Sequence, residues 1–416
     1  MDVTHVSRPM TGRLDIPLLF ASRCVRLFAY GFLSVVLVLY LTSLDLSETN
    51  VGLLLTLTLL GDSVISLGLT SWADRIGRRR MLLIGAILML FAAVLFAVTR
   101  EFHWLLVAAT IGVISPSGNE VGPFLSIEQA ALTQLLPNER RTMAFAWYNM
   151  VGSLSTALGA LVGGWSCDIA QRMGSIGPDI YRPVILGYGA FGLILALLFL
   201  WLSSATEAPV VSSNEPKIAG WFGLGKSRRI VLKLSGLFAI DAFGGGFIVQ
   251  SVLVYWFYLR YEVHLAHLGQ IFFVANLLAG FSSLLAGWTA RRIGLINTMV
   301  FTHLPSNILL IFVPLMPNVS LSVTLLWIRY SISQMDVPTR QSYVMAVVSP
   351  DERAAAAGVT AMARSLGAAV SPWIATSLIA NPQTANWIFY LCGGLKILYD
   401  VLLYREFVTL KPPEEA

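Results

Sequence analysis

The chain has 416 residues, 56% of them hydrophobic and only 12% charged, which is too few charges to coat a water-soluble surface of this size. Its net charge of +5 is small, and no basic tract is interleaved with aromatics, which excludes a nucleic-acid platform. Cys24, Cys167 and Cys392 lie far apart, so neither a disulfide framework nor a metal-ligand spacing is present.

Apolar runs long enough to cross a bilayer recur along the chain, separated by polar punctuation. They predict an all-α membrane protein with twelve transmembrane helices in two pseudo-symmetric six-helix bundles. The helices are expected at 17–41, 51–72, 81–99, 104–136, 142–165, 184–203, 231–259, 268–290, 295–316, 321–348, 354–380 and 384–406. Arg8 and Arg13 precede the first run, and no small-residue cleavage site follows it, so the run reads as a retained span. The stretch 206–229 holds Pro209, Pro216, several serines and mixed charge. It reads as a linker between an N-terminal bundle, 1–205, and a C-terminal bundle, 230–416.

Between the second and third runs, Asp74, Arg75, Gly77, Arg78, Arg79 and Arg80 crowd into a short turn. Such a turn cannot lie in hydrocarbon, and basic loops of this length stay on the cytoplasmic side. In the twelve-span topology the same side gathers Arg8, Arg13, Arg140, Arg141, Lys217, Lys226, Arg228, Arg229, Arg291, Arg292, Arg353, Arg405 and Lys411. The other side carries Arg100, Arg172, Arg182 and Arg260. Both termini are therefore expected in the cytoplasm of a multi-pass plasma-membrane protein. The halves also echo one another: Gly52, Thr70, Arg75, Ile76 and Gly77 recur at one constant spacing as Gly269, Gly287, Arg292, Ile293 and Gly294, with Arg291 in place of Asp74. The later match of Glu139-Arg140 to Glu352-Arg353 is shifted by four residues. That places a small insertion in the first half, at 115–123. A duplicated unit of this kind is a transporter architecture.

The loop resembles the signature Gly-x-x-x-Asp-Arg-x-Gly-Arg-Arg/Lys of the major facilitator superfamily, matched at Asp74, Arg75, Gly77, Arg78 and Arg79, with Thr70 where the leading glycine is expected. The resemblance implies that Asp74 latches one conformation by facing the 349–353 turn; capping of its own short turn is the alternative. Leu158-Gly159-Ala160-Leu161-Val162-Gly163-Gly164 is similar to an element of the family's proton antiporters, with Ala160 replacing proline, although small residues at this spacing also serve close helix packing.

Ionisable residues at bilayer depth are costly and default to functional candidates. Arg23, Arg26, Glu120, Glu128, Asp241, Arg329, Asp336 and Arg340 fall on the first, fourth, seventh and tenth helices, which the resemblance assigns to a central cavity. Arg23, Arg26, Glu128, Asp241 and Arg340 lie about 9–15 Å from the helix ends, near mid-membrane. Glu128 and Asp241, then Glu120, are the expected proton carriers, and Asp336 and Arg340 can pair four residues apart. Asp62 and Arg364 are expected to pair across the two halves. Lys233 and Lys396 read as snorkelling cations. Asn119, Gln129, Tyr148, Asn149, Gln250, Asn276 and Gln341 are polar neighbours of the cavity, each as readily a packing hydrogen-bonder.

No phosphate-binding loop, nucleophile elbow or histidine cluster occurs, so an ATP-driven pump and an enzyme are disfavoured and no cofactor or metal is expected. The reading is a monomeric secondary active transporter in a lipid bilayer, coupling protons to efflux of a small amphiphilic substrate. The aromatic run 255–258 favours an amphiphile. The alternative is proton-coupled movement of an organic or inorganic anion held by cavity arginines, and a non-transporting receptor or sensor ranks below both.

Overall fold

The computed structural model of the chain describes residues 14–120, 122–208, 224–349 and 352–410. Arg8, Arg13, Lys217, Lys411, the middle of the expected linker, Pro350 and Asp351 lie outside the described residues, as does the Glu139 side chain. The described residues form sixteen α-helices: α1 (Asp15–Ser34), α2 (Leu37–Ser43), α3 (Glu48–Ile76), α4 (Arg78–Val98), α5 (Phe102–Ile111), α6 (Phe124–Leu135), α7 (Asn138–Arg172), α8 (Arg182–Leu200), α9 (Arg228–Gly246), α10 (Gln250–Tyr261), α11 (Leu265–Ile293), α12 (Leu295–Phe312), α13 (Val319–Ser333), α14 (Asp336–Val347), α15 (Arg353–Ile379) and α16 (Trp387–Phe407). Nine segments among the described residues are long and apolar enough to cross a membrane.

Four of the expected continuous helices are broken. The run expected at 104–136 divides into α5 and α6. Between them, Pro116 and Pro123 interrupt the backbone hydrogen bonds, and Gly118 and Gly122 take φ of +70° and +81°. The run expected at 231–259 divides after Gly244, Gly245 and Gly246, where the helical preference is weakest. The run at 17–41 divides at Val35–Val36, and that at 321–348 at Gln334–Met335, two residues ahead of Asp336 and close to Pro338. These are the four helices that carry most of the expected buried charges.

The repeated glycines of the two halves do the same work. Gly77 ends α3 and opens α4 with φ +119°, and Gly294 ends α11 and opens α12 with φ +87°. Both take a positive φ that residues with a Cβ rarely adopt.

Helix α1 packs on α7 and α8, α3 on α5, and α4 on α8; α9 packs on α15 and α16, and α12 on α13, α14 and α16. The two sets meet along α7 with α11 and α3 with α15. Glycines permit the close approach: a Cβ on Gly164 would lie 2.5 Å from the Leu265 carbonyl, and one on Gly52 would strike the Thr376 hydroxyl. These contacts gather at the end opposite the 75–80 loop. There Gln250 Nε2 donates to Ser34 Oγ at 2.8 Å, Ser251 N to the Pro116 carbonyl at 3.1 Å, and Tyr255 to Glu48 at 3.2 Å. Toward the basic end, added Cβ atoms on Gly68, Gly287 and Gly358 would meet nothing within 4 Å. The hydrogen bonds and close glycine contacts named between the sets gather at one end, and these three glycines of the other end face open space.

Candidate functional site

Helices α1, α6 and α7 and the 112–123 break bring one group of charges together. Arg23 and Arg26 stand about one turn apart on α1. Arg26 is wholly buried, its Nη1 and Nη2 donating to Glu128 Oε1 and Oε2 at 2.8 and 2.7 Å and its Nε to Glu120 Oε1 at 2.8 Å. Arg23 also pairs with Glu120 and lies over the Tyr148 ring at 4.6 Å. Gly152 makes room for it, since a Cβ there would come within 2.8 Å of Arg23 Nε. Ser22 Oγ donates to Glu128 Oε1 at 2.6 Å, and the Tyr148 hydroxyl donates to Oε2. A carboxylate offers about four acceptor positions. Those of Glu128 are filled by Arg26, Ser22 and Tyr148.

The second group is built from five helices. Asp241 on α9 accepts from Lys396 Nζ at 2.5 Å, Arg364 Nη1 at 2.9 Å and Arg340 Nη1 at 3.3 Å, which places one carboxylate among cations from α16, α15 and α14. Arg340 also pairs with Asp336 at 2.7 Å, one turn back on its own helix. His303 Nε2 lies 3.8 Å from Asp241, and its Nδ1 lies 2.8 Å from Asp400 on α16. Apart from Asp400, which is held by His303 and Asn307, each carboxylate in either group has a lysine or arginine at hydrogen-bonding range, the arrangement that lets ionised groups persist away from water.

The remaining candidates stand apart. Arg329 is buried over the Tyr330 ring at 5.0 Å, with its Nε lacking a partner and no carboxylate paired to it among the described residues. The expected pair of Asp62 with Arg364 is not formed in this structure: Arg364 is held by Asp241, and Asp62 accepts a long 3.4 Å bond from Ser66 on its own helix. The Asp74 side chain is 66% exposed and accepts from Arg78 Nε at 2.8 Å within its own half; of the turn it was expected to face, Pro350 and Asp351 lie outside the described residues. Its own turn is sealed from within: Arg78 Nη1 donates to Gln134 and to the Thr206 carbonyl, and Glu207 accepts from the Arg78 and Arg79 amides at 2.5 and 3.3 Å. Arg75 is exposed.

One further expectation changes. Lys396 does not snorkel: it sits in the middle of α16, 8% exposed, on Asp241. His303 and Asp400 were not singled out by the sequence. Their signal was available as His303–Asn307 and Lys396–Asp400, two polar pairs at a four-residue spacing inside apolar runs. The aromatic run 255–258 is mostly packing, with Tyr255, Trp256 and Phe257 buried and the Trp256 ring 4.6 Å from Phe389. The glycines of 158–164 pack too, Gly159 against the Phe28 carbonyl and Gly163 against that of Phe32. Among the described residues no cluster of three or more metal-ligating side chains occurs.

Comparison with known proteins places this geometry. A family model described as Major Facilitator Superfamily matches residues 19–335. An uncharacterized membrane protein of Saccharomyces cerevisiae, YJR124C, is 31% identical over 422 residues, covering 95% of this chain and 94% of the relative. The quinolone resistance protein NorA of Staphylococcus aureus is 26% identical over 168 residues, 40% of this chain and 41% of NorA. In three dimensions the chain is similar to a bacterial homolog of the human lysosomal transporter Spinster in an inward-facing, unoccupied conformation. The TM-score is 0.71 at 16% identity, covering 97% of this chain and 99% of the other.

Proposed function

Because this chain belongs to the major facilitator superfamily, whose members move small molecules across membranes, we propose that it is a proton-coupled exporter of an amphiphilic organic solute. It works as a monomer by alternating access. The observation that carries the reading is the asymmetry of closure: hydrogen bonds and glycine contacts join the two sets of helices at one end, while glycines of the basic end face open space. A rocking transporter caught open to one side has this form.

We read each broken pair as one crossing, for twelve spans in two six-helix bundles on either side of the 206–229 linker. The distribution of arginine and lysine supports a cytoplasmic basic end, with both termini on the cytoplasmic side of a plasma membrane and the basic end open inward. On this reading Asp74 leaves its turn when the basic end closes, and latches the outward-open state. Export, rather than uptake, is supported by the stretch of likeness to NorA, named for quinolone resistance. A second reading, transport of an organic anion, is supported by Arg364, whose side chain is 33% exposed while its partner Asp241 is buried, and by Arg329, which pairs with no carboxylate among the described residues.

Purified protein in liposomes with an imposed pH gradient separates the two. The export reading expects gradient-driven movement of a quinolone or a fluorescent lipophilic cation, with fluorescein left behind. Movement of fluorescein alone favours the anion reading, and no gradient dependence for either probe defeats the proton-coupled proposal.

A further inference from the structure

On helices outside the expected cavity set lies a buried knot of polar side chains. His303 sits on α12, Asn307 one turn further on, and Asp400 on α16. Asp400 is fully buried and His303 is 4% exposed. Asn307 Nδ2 donates to Asp400 Oδ2 at 3.0 Å, and His303 Nδ1 lies 2.8 Å from Oδ1. An ionised carboxylate can only accept, so a neutral His303 carries its proton on Nδ1 and presents a bare lone pair at Nε2. That lone pair faces Asp241 Oδ1 at 3.8 Å. Two acceptors stand opposite one another, and a proton between them turns a repulsion into a charge-assisted hydrogen bond.

The surroundings say what such a proton would displace. From α16 come Lys396, Tyr399 and Asp400, from α9 Asp241, from α14 Asp336 and Arg340, from α15 Arg364 and from α13 Arg329. The titratable groups of α11, namely His267, Arg291 and Arg292, lie at its two ends. With His303 neutral, the three carboxylates Asp241, Asp336 and Asp400 face Arg340, Arg364 and Lys396, while Arg329 stands apart over the Tyr330 ring with no carboxylate paired to it among the described residues. Adding an imidazolium gives the interacting groups one cation more than they have carboxylates. Lys396 and Arg340 are buried, whereas Arg364 is one third exposed and sits on the helix that packs against α3. It is the member that leaves at least desolvation cost. Pairing of Gly52 with Thr376 and of Thr56 with Trp373 puts Asp62 of α3 at the depth of Leu366, within about one turn of Arg364.

We propose that His303, set between Asp400 and Asp241, takes up the coupling proton, and that its imidazolium displaces Arg364 from Asp241. The inference rests on the transporter reading above. The proton comes from solvent and binds the Nε2 lone pair; Nε2–H donates to Asp241 Oδ1, and Arg364 leaves Oδ2 with its charge intact. The net gain is one positive charge, and no other bond changes. Displaced Arg364 moves toward Asp62, so protonation exchanges a contact inside one half for a contact between halves.

The test needs no identified solute. In the full chain, with the three native cysteines replaced by alanine, spin labels go on Gly68→Cys in α3 and Gly287→Cys in α11, where an added side chain meets nothing within 4 Å. Distance distributions are recorded in lipid nanodiscs from about pH 5 to about pH 8. Two distances are expected, their ratio changing by about tenfold across the range, and His303→Gln should flatten that change to less than about twofold. An undiminished response in His303→Gln, or a wild type indifferent to pH, overturns the proposal. Should His303→Gln fail to fold, Asp400→Asn carries the test: a lost or displaced midpoint supports the assignment, and an unchanged one overturns it. Solute flux in liposomes without a pH response would defeat the proton site while leaving the transporter reading in place. A His303-dependent response in a protein that moves no solute would do the reverse.

Discussion

The two charge groups solve the same problem in different ways. Arg23, Arg26, Glu120 and Glu128 come from two adjacent helices and the break between α5 and α6. Their acceptors are filled by arginine forks and two hydroxyls, and Arg26 and Glu128 have no exposure at all. The group around Asp241 draws on five helices, contains an imidazole with two possible charges, and leaves Arg364 partly in solvent. A closed network of fixed charges rigidifies what it joins. A network with one titratable and one exposed member has two charge states with different best pairings. The first group therefore suits a scaffold or a fixed binding surface, and the second suits a moving part.

The sharpest way to break the comparison is to open the closed network. Arg26→Leu strands Glu128 and Glu120 in apolar surroundings and should lower stability by about 3–5 kcal/mol, read as early thermal unfolding in detergent. Adding Glu128→Leu should restore most of the loss, because the pair goes and Arg23 with Glu120 stays balanced. Failure of the second change to rescue would mean that the network is not self-contained. In the other group, Lys396→Met leaves Asp241 with Arg340 and Arg364. The same assay should register a smaller loss of about 1–3 kcal/mol. A loss as large as that of Arg26→Leu would show Lys396 to be irreplaceable and erase the contrast.

Much of this was legible in the residues themselves. Apolar runs placed the helices to within a few positions, and charges inside them pointed at Arg26, Glu128, Asp241 and Arg340. What periodicity could not show was where a helix stops inside hydrocarbon. Pro116 and the glycines at 118 and 122 read as an insertion, and the run Gly244 to Gly246 carried no reading of its own, although both sit at interruptions. His303, Lys396 and Asp400 lie on α12 and α16, outside the four helices on which a resemblance of this kind places the cavity. Pairing is a matter of tertiary distance: nothing in the sequence tells that Arg364 meets Asp241 rather than Asp62.

The basic loops offer a gentler contrast. Asp74→Asn removes an exposed partner of Arg78, so stability should change by less than about 1 kcal/mol. Transport should nonetheless fall severalfold if the acid latches the closed basic end, and unchanged flux at equal protein level would leave Asp74 a turn cap. Glu352 stands at the corresponding level of the second half and is already engaged. It accepts from the Ser227, Lys226 and Gly225 amides at 2.9, 2.9 and 3.0 Å, and these bonds, that of Ser227 foremost, hold its carboxyl below the usual range. A lowered value means that the ionised form is the one the fold favours. Its contribution is complete above the ordinary carboxylate value near about 4.3 and is lost as the pH falls through the lowered one. Tryptic cleavage at Lys226 and Arg228 reads this directly. At neutral pH wild type should be cut more slowly than Glu352→Gln, and the cost of the change should be small and local to the start of α9. Equal rates would mean that the three amides are held without the carboxylate, and that Asp74 and Glu352 differ less than their surroundings suggest.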